Sequence, residues 1–290
     1  MTSTVGVVVL TQGTRPADLR HALASVQAQQ GVELDIVVVG NGWQPVDLPS
    51  SVRGHGLSEN LGIPAGRNAG TGLVSGEYLL FVDDDAALLG EDFLLRGLAK
   101  FREDPKLGIL QPRVVSTDGS APTRWIPRLR KGDPARPSNA FSLWEGVVLA
   151  RRSAYDATGG WPAEYFYAHE GIELAWRFWD LGYRVWYAGD LECSHPPINP
   201  TRHAAYFELN ARNRVWLARR NLPWVFAILY VASWTLVQML RTLSSAETRS
   251  GFVPWWRGWL AGWTKNPGER RVIKWRTIAT MTRLGRPPVT

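Results

Sequence analysis

The chain has 290 residues, 45% hydrophobic and 20% charged, a balance that excludes a disordered tail, a fibrous repeat and a disulfide-stapled miniprotein. Its one cysteine, Cys193, forbids an internal disulfide and fits a thiol-reducing compartment such as the cytoplasm. The net charge of +7 hides a division: residues 1–195 carry 18 Lys/Arg against 23 Asp/Glu, and residues 196–290 carry 15 against 3.

The amino-terminal segment lacks a basic n-region and reads as a strand rather than a signal peptide. Residues 5–11 form a continuous β-branched apolar run, as expected of a strand buried on both faces. A helix follows, with Leu19, Ala22, Leu23 and Val26 on one face. Residues 34–42 and 76–86 read as strands, 91–104 as an amphipathic helix closed by Pro105, and 107–115 as a further strand. This alternation predicts βαβ units, hence a mostly parallel sheet with helices on both faces.

Residues 116–140, rich in proline and basic side chains, read as a long surface loop. A strand, a short helix and the Gly159-Gly160 turn follow. A helix over 170–181 is then stopped by Gly182 before another strand, and Cys193 reads as a buried, inert thiol. The expected division is an α/β domain over 1–205, with a nucleotide-binding half (1–115) and an acceptor half (141–205), and a basic, tryptophan-rich helical extension over 206–290.

The chemistry concentrates at Asp83-Asp84-Asp85, at the end of an apolar strand. Adjacent carboxylates repel one another unless a cation is supplied, ligands of open α/β sheets bind at strand carboxyl ends, and oxygen ligands select Mg2+ or Mn2+. The same triplet also reads as a solvated turn capping the next helix. Its context resembles family 2 glycosyltransferases: Asn60, Gly62, Arg67, Asn68, Gly70, Gly76, Tyr78, Asp83 and Asp85 match the spaced pattern that leads into the acidic strand end. Gly159-Gly160-Trp161, the acidic pair Glu170 and Glu173, Arg177, Gly182 and the late His195 match its second half.

The resemblance implies a GT-A fold (Rossmann-like), a nucleotide-diphospho-sugar donor, Mn2+ or Mg2+, and inverting transfer to a glycan hydroxyl. Relatives of this kind handle rhamnose, galactofuranose, mannose or glucose. It implies metal ligation by Asp85, with Asp83 on the ribose or reaching the metal through water and His195 completing the set, although His195 also reads as a structural surface histidine. Donor contacts fall to Thr11, Asn41, Asn60, Arg67, Asp83 and Asp84. The family's usual acidic base contact is replaced by Gly40-Asn41-Gly42, which passes that role to Asn41. Glu170 and Glu173 share a helix face and are the candidate catalytic pair. Glu170 is preferred as base because it occupies the first turn, nearest the cleft; the other reading is that both favour the helix N-terminus and Glu173 pairs with Arg177. His169 and Trp161 are assigned to the acceptor, with core filling as the other reading of Trp161. A sugar nucleotidyltransferase and a catalytically decayed membrane scaffold are the competing functions.

In the extension, residues 222–240 are nineteen uncharged residues between arginines. They fit a membrane span, an in-plane helix or a buried helix. Tryptophans among basic residues suit lipid headgroups, and no nucleic-acid module is recognisable. The expected partner is therefore the inner face of the cell membrane, and the expected acceptor a lipid-linked saccharide of the cell envelope.

Overall fold

Valine-rich strands set the frame. In the computed structural model, which describes every residue except 1, 121–124, 129–130, 198–204, 245–248 and 289–290, β1 (Ser3–Thr11) lies parallel to β2 (Val32–Gly40), with Thr11 opposite Gly40. Helix α1 (Pro16–Gln27) connects them, opened by a proline at its first turn. Strand β3 (Val52–Gly56), helix α2 (Ile63–Thr71), β4 (Tyr78–Asp83), β5 (Ala87–Leu88), α3 (Phe93–Glu103) and β6 (Leu107–Ser116) follow. Then come β7 (Ser138–Asn139), β8 (Val147–Arg151), α4 (Arg152–Thr158), a 3-10 turn at Ala163–Tyr165, α5 (Glu170–Asp180) and β9 (Arg184–His195).

The sheet order is β3-β2-β1-β4-β8-β6-β9-β5, with β7 beside β9. The longest ladders are parallel, as expected, and antiparallel pairs are added to them. The β1–β2, β1–β4, β2–β3 and β6–β9 pairs are parallel, but β8 runs antiparallel to both β4 and β6. The sheet is mixed, with helices on both faces.

Alternation along the strands divides the core in two. Val5, Val7, Val9, Leu80 and Val82 pack under Leu19, Leu23 and Val26 of α1 and Phe93, Leu94 and Leu98 of α3. Val8, Leu10, Leu79 and Phe81 pack on the other side with Ala154 and Tyr155 of α4 and Leu174, Ala175 and Phe178 of α5. Cys193 is fully buried, and its thiol is pushed above the ordinary range by that burial alone. The expected loop over 116–140 is only partly superficial: Trp125 and Ile126 are buried, and 121–124 and 129–130 lie outside the described residues.

Two compact units divide the chain. The first comprises Met1–Phe166 and Leu174–Pro197; the second comprises Tyr167–Glu173 and Ile198–Thr290. The second unit is helical: α6 (Tyr206–Asn221), α7 (Trp224–Ser244), α8 (Phe252–Thr264) and α9 (Trp275–Arg283). Helix α8 crosses α6 closely at Gly258, where a Cβ would stand 2.0 Å from the Glu208 carbonyl oxygen. Helix α7 is long and apolar enough to cross a membrane, and only 17% of its most apolar stretch is buried.

Candidate functional site

Strand β4 ends at Asp83, whose N–H donates to the Gly146 carbonyl of the strand entry beside it at 2.8 Å. The chain then turns, and each carboxylate of the triplet meets a different partner. Arg67 of α2, 1% exposed, donates from Nη2 to Asp83 Oδ1 at 2.7 Å and to the Glu145 carbonyl at 2.9 Å. Its guanidinium lies over the Trp161 ring, 4.8 Å from the centroid. Arg15, in the loop after β1, bridges Asp84 and Asp85. His195, the last residue of β9, brings Nε2 to 3.2 Å from Asp85 Oδ1, and its ring is edge-on to Trp125 and Trp144.

The three carboxylates therefore differ electrostatically. Burial raises Asp83 above its ordinary value, against the pull of Arg67 and with the help of neighbouring Asp85. Burial also raises Asp84, to about 6, although Thr11 and Arg15 oppose it. For Asp85 burial is outweighed by the hydrogen bond and charge of His195 together with Arg15, so its carboxyl lies below the usual value. Asp85 is thus the member of the triplet whose ionised form its surroundings favour, the form a metal ligand needs.

The expected three-residue metal set is not gathered. Among the described residues, no group of three or more His, Cys, Asp or Glu side chains is arranged to hold one ion. The cause is Arg67, which draws the Asp83 carboxylate toward α2 and leaves Asp85 with His195 as a converging pair. One carboxylate oxygen and one imidazole nitrogen still fit Mn2+ or Mg2+, which commonly complete their shells with substrate phosphate and water.

Several expected donor contacts prove to be wall rather than surface. The Thr11 hydroxyl donates to Asp84 Oδ2 and accepts the Gly13 N–H at 3.0 Å, so Thr11 and Asp84, both 3% exposed, brace each other. Asn41, 4% exposed, donates from Nδ2 to the Gly62 carbonyl at 3.0 Å and accepts the Leu61 N–H at 2.8 Å. Its amide is spent on the loop before α2, which corrects its assignment as base reader. Asn60 closes that loop by accepting the Gly62 N–H at 2.9 Å, and Gly62 itself needs a positive φ of 85° beside the Phe166 backbone. Asn68 lies inside α2, donates to the Trp161 carbonyl and accepts from the Tyr155 hydroxyl.

Trp161 is a core residue. It is 1% exposed, edge-on to Phe81 and covered by Arg67, so no ring face is left for an acceptor sugar. Sequence reasoning missed Arg15, although the basic residue soon after β1 was a visible signal. It also missed Trp125 and Trp144, whose contacts with His195 join positions far apart in the chain.

The second unit holds the acidic pair. The chain enters α5 through residues with left-handed backbone, Ala168 (φ 68°) and His169 (φ 76°), conformations that cost free energy outside glycine. Asn213 of α6 holds this segment by donating from Nδ2 to the Tyr167 carbonyl at 2.6 Å and the Ala168 carbonyl at 2.9 Å. Glu170 is 1% exposed and Glu173 fully buried. Glu173 takes Arg220 on both oxygens, with Nη2 to Oε1 at 2.9 Å and Nε to Oε2 at 3.0 Å, and accepts Asn221 Nδ2 at 2.7 Å. Its strong cation thus comes from α6, while Arg177, the expected neighbour, donates to the Thr158 carbonyl at 3.4 Å.

His169 is buried, and burial first, then the charge of Arg214, pushes its imidazole well below the ordinary histidine value. An unfolded histidine titrates near about 6.5. Below that pH the unfolded chain binds a proton that the native state refuses, so this contribution to stability is full above about 6.5 and is lost as pH falls. Between pH 7.5 and 5.5 the wild type should lose about 1.4 kcal/mol more than a His169→Gln variant, read from urea midpoints. Parallel losses in the two proteins would refute the neutral buried imidazole.

The chain is 25% identical over 229 residues to the pre-mycofactocin glycosyltransferase of Mycobacterium tuberculosis, covering 73% of this chain and 44% of that protein. It therefore spans less than half the length of that relative. Among solved structures, the S. aureus TarS 1–349 fold matches with a TM-score of 0.60 at 14% identity, covering 96% of this chain and 83% of that one. GalNAc-T7 with UDP, GalNAc and Mn2+ matches at 0.60 and 14%, covering 79% and 50%. The Pyrobaculum calidifontis mannosyltransferase in complex with GDP-Man and Mn2+ matches at 0.57 and 16%, covering 100% and 78%. At these identities the likeness shows the fold, which is GT-A-like. Residues 7–159 match the sequence profile described as Glycosyl transferase family 2, more than half of the chain, and the chain belongs to that family.

Proposed function

We propose that the protein transfers a sugar, with inversion, from a nucleotide-diphospho-sugar to a hydroxyl of a lipid-linked glycan acceptor. The setting of the proposal is cell-envelope polysaccharide synthesis at the cytoplasmic face of the membrane. The observation that carries it is the convergence of Asp85 and His195 at the carboxyl end of β4 in a family 2 chain. These two residues are the ones that would hold Mn2+ or Mg2+. The ion, when bound, supplies positive charge against the departing diphosphate. The Mn2+ in two structures of like fold supports this choice.

Arg15 adds a guanidinium at the same strand ends, suited to a phosphate oxygen. In the transfer, the acceptor oxygen bonds to the anomeric carbon, the bond from that carbon to the diphosphate oxygen breaks with its electron pair, and the acceptor's proton passes to a carboxylate. Glu170, the first residue of α5, is the base in this reading. The exposed apolar helix α7 and the basic helices around it support the membrane setting.

Calorimetric titration with UDP, GDP and dTDP, each with and without Mn2+, tests the donor site. One nucleotide should bind at least tenfold more tightly with the metal than without. If none of the three binds under either condition, the donor-site assignment is wrong.

A further inference from the structure

At about 100° per residue, Val225, Ile228, Leu229, Leu236, Leu240 and Leu243 of α7 fall within an arc of about 120°. They are between 52% and 76% exposed, and no charged residue lies between them on that stripe. The opposite face is covered, with Ala227, Tyr230 and Val231 buried. The helix is long enough to cross a bilayer, so its length alone leaves spanning and in-plane placement open.

The packing of the second unit decides between them. Arg214 of α6 lies over the Trp234 ring, 4.0 Å from its centroid, and donates from Nη1 to the Tyr230 hydroxyl at 3.2 Å. Trp234 stands halfway along the 21 residues of α7. A spanning α7 would carry the Arg214 guanidinium to the bilayer midplane, the costliest depth for a charge. Helix α8 flanks the same level, its Trp259 indole N–H donating to Thr235 Oγ1 at 3.1 Å, and its Arg257 side chain is 68% exposed. The surrounding segment carries 15 Lys/Arg against 3 Asp/Glu, a charge that complements anionic headgroups.

We propose that α7 lies in the plane of an anionic lipid leaflet, its apolar stripe at the level of the upper acyl chains and the basic helices beside it among the headgroups. The second unit then binds one leaflet and does not cross it. The inference rests on the membrane setting proposed above and specifies its geometry.

The full chain is tested on vesicles of phosphatidylcholine with and without phosphatidylglycerol. Cysteines placed one at a time by Leu229→Cys, Leu236→Cys and Leu243→Cys, beside the fully buried Cys193, carry an environment-sensitive fluorophore, quenched by lipids spin-labelled at defined acyl depths. Binding should be at least tenfold tighter with phosphatidylglycerol, and all three positions should report one shallow depth. A Leu229→Asp/Leu236→Asp variant, altered only on the exposed face, should lose at least tenfold in binding while keeping the wild-type circular dichroism. A deep position at Leu236 between shallower neighbours would overturn the in-plane placement and leave the membrane setting standing. Failure to bind vesicles, equal binding to uncharged ones, or full binding by the double variant would overturn the inference. Nucleotide titration in the absence of lipid keeps any of these results separate from the fate of the donor site.

Discussion

Replacing Asp85 with alanine should lower kcat at least about a hundredfold and abolish the response to Mn2+. Metal-borne stabilisation of a departing group is worth several kcal/mol, and each 1.36 kcal/mol is about tenfold in rate. The reason for choosing Asp85 over its neighbours is geometric. Asp84 is turned inward against Thr11, and Asp83 is held by Arg67. Asp85 shares its position with the His195 imidazole and is the carboxyl held below its usual value. The fold should tolerate the change, because Arg15 keeps Asp84 as a partner and is itself 31% exposed. Single-turnover transfer from the donor identified by titration measures the effect. Activity within threefold of wild type, with an unaltered metal response, would remove Asp85 from the reaction.

Replacing Arg220 with alanine should cost about 3–5 kcal/mol of folding stability, because it strands a buried carboxylate without its cation. The side chains of Arg220 and Glu173 are 2% and 0% exposed. The Glu173 carboxylate would lose both guanidinium hydrogen bonds while the amide of Asn221 still donates to it. Arg220 also donates to the Pro267 carbonyl, so its loss loosens the segment leading to α9 as well. Substituting both partners with apolar residues of similar volume, Glu173→Leu with Arg220→Met, should restore most of the loss, since the desolvation of two charges is removed together with their attraction. The exposed pair Arg96–Asp92, at 3.9 Å, serves as the comparison: its loss should register at no more than about 0.5 kcal/mol. Urea unfolding of the four proteins decides the matter, and an Arg220→Ala variant within 1 kcal/mol of wild type would refute the account.

Much of the first unit was legible because its signals are local. The valine run of β1, the glycine stop at Gly182 (φ 88°) and the Gly159-Gly160 turn (φ 83° and 81°) each follow from residues adjacent in sequence. Strand direction was not legible. The apolar run of β8 looks the same whether it lies parallel or antiparallel to β4, and only the route of the chain settles it. Helix α2 was hidden because glycine, proline and asparagine argue against a helix, whereas here the small residues let it lie close on β1 and β2. The acidic triplet was readable as a cluster, and the resemblance brought His195 and Arg67 to it, but the bridge from Arg15 to Asp84 and Asp85 was not readable, because it comes from a distant segment. Trp161 failed as an acceptor platform for a related reason: an aromatic after a turn carries no mark of whether a guanidinium will cover it. Arg220 was read only as one basic residue among many in a cationic segment, and its buried partner lies 47 positions away.

The interleaving of the two units bears on how such a protein can be divided. Tyr167–Glu173 is grouped with the carboxyl-terminal helices, not with the sheet that precedes and follows it in the chain. Asn213, Arg220 and Asn221 supply the contacts that hold those seven residues. A chain cut after Pro197 would therefore keep the acidic pair but lose its scaffold, presenting Glu173 without Arg220 and Asn221 and a left-handed approach to α5 without its amide clamp. The helices cannot be exchanged as a detachable anchor, and a donor of replacement helices would have to bring matching side chains at these three positions.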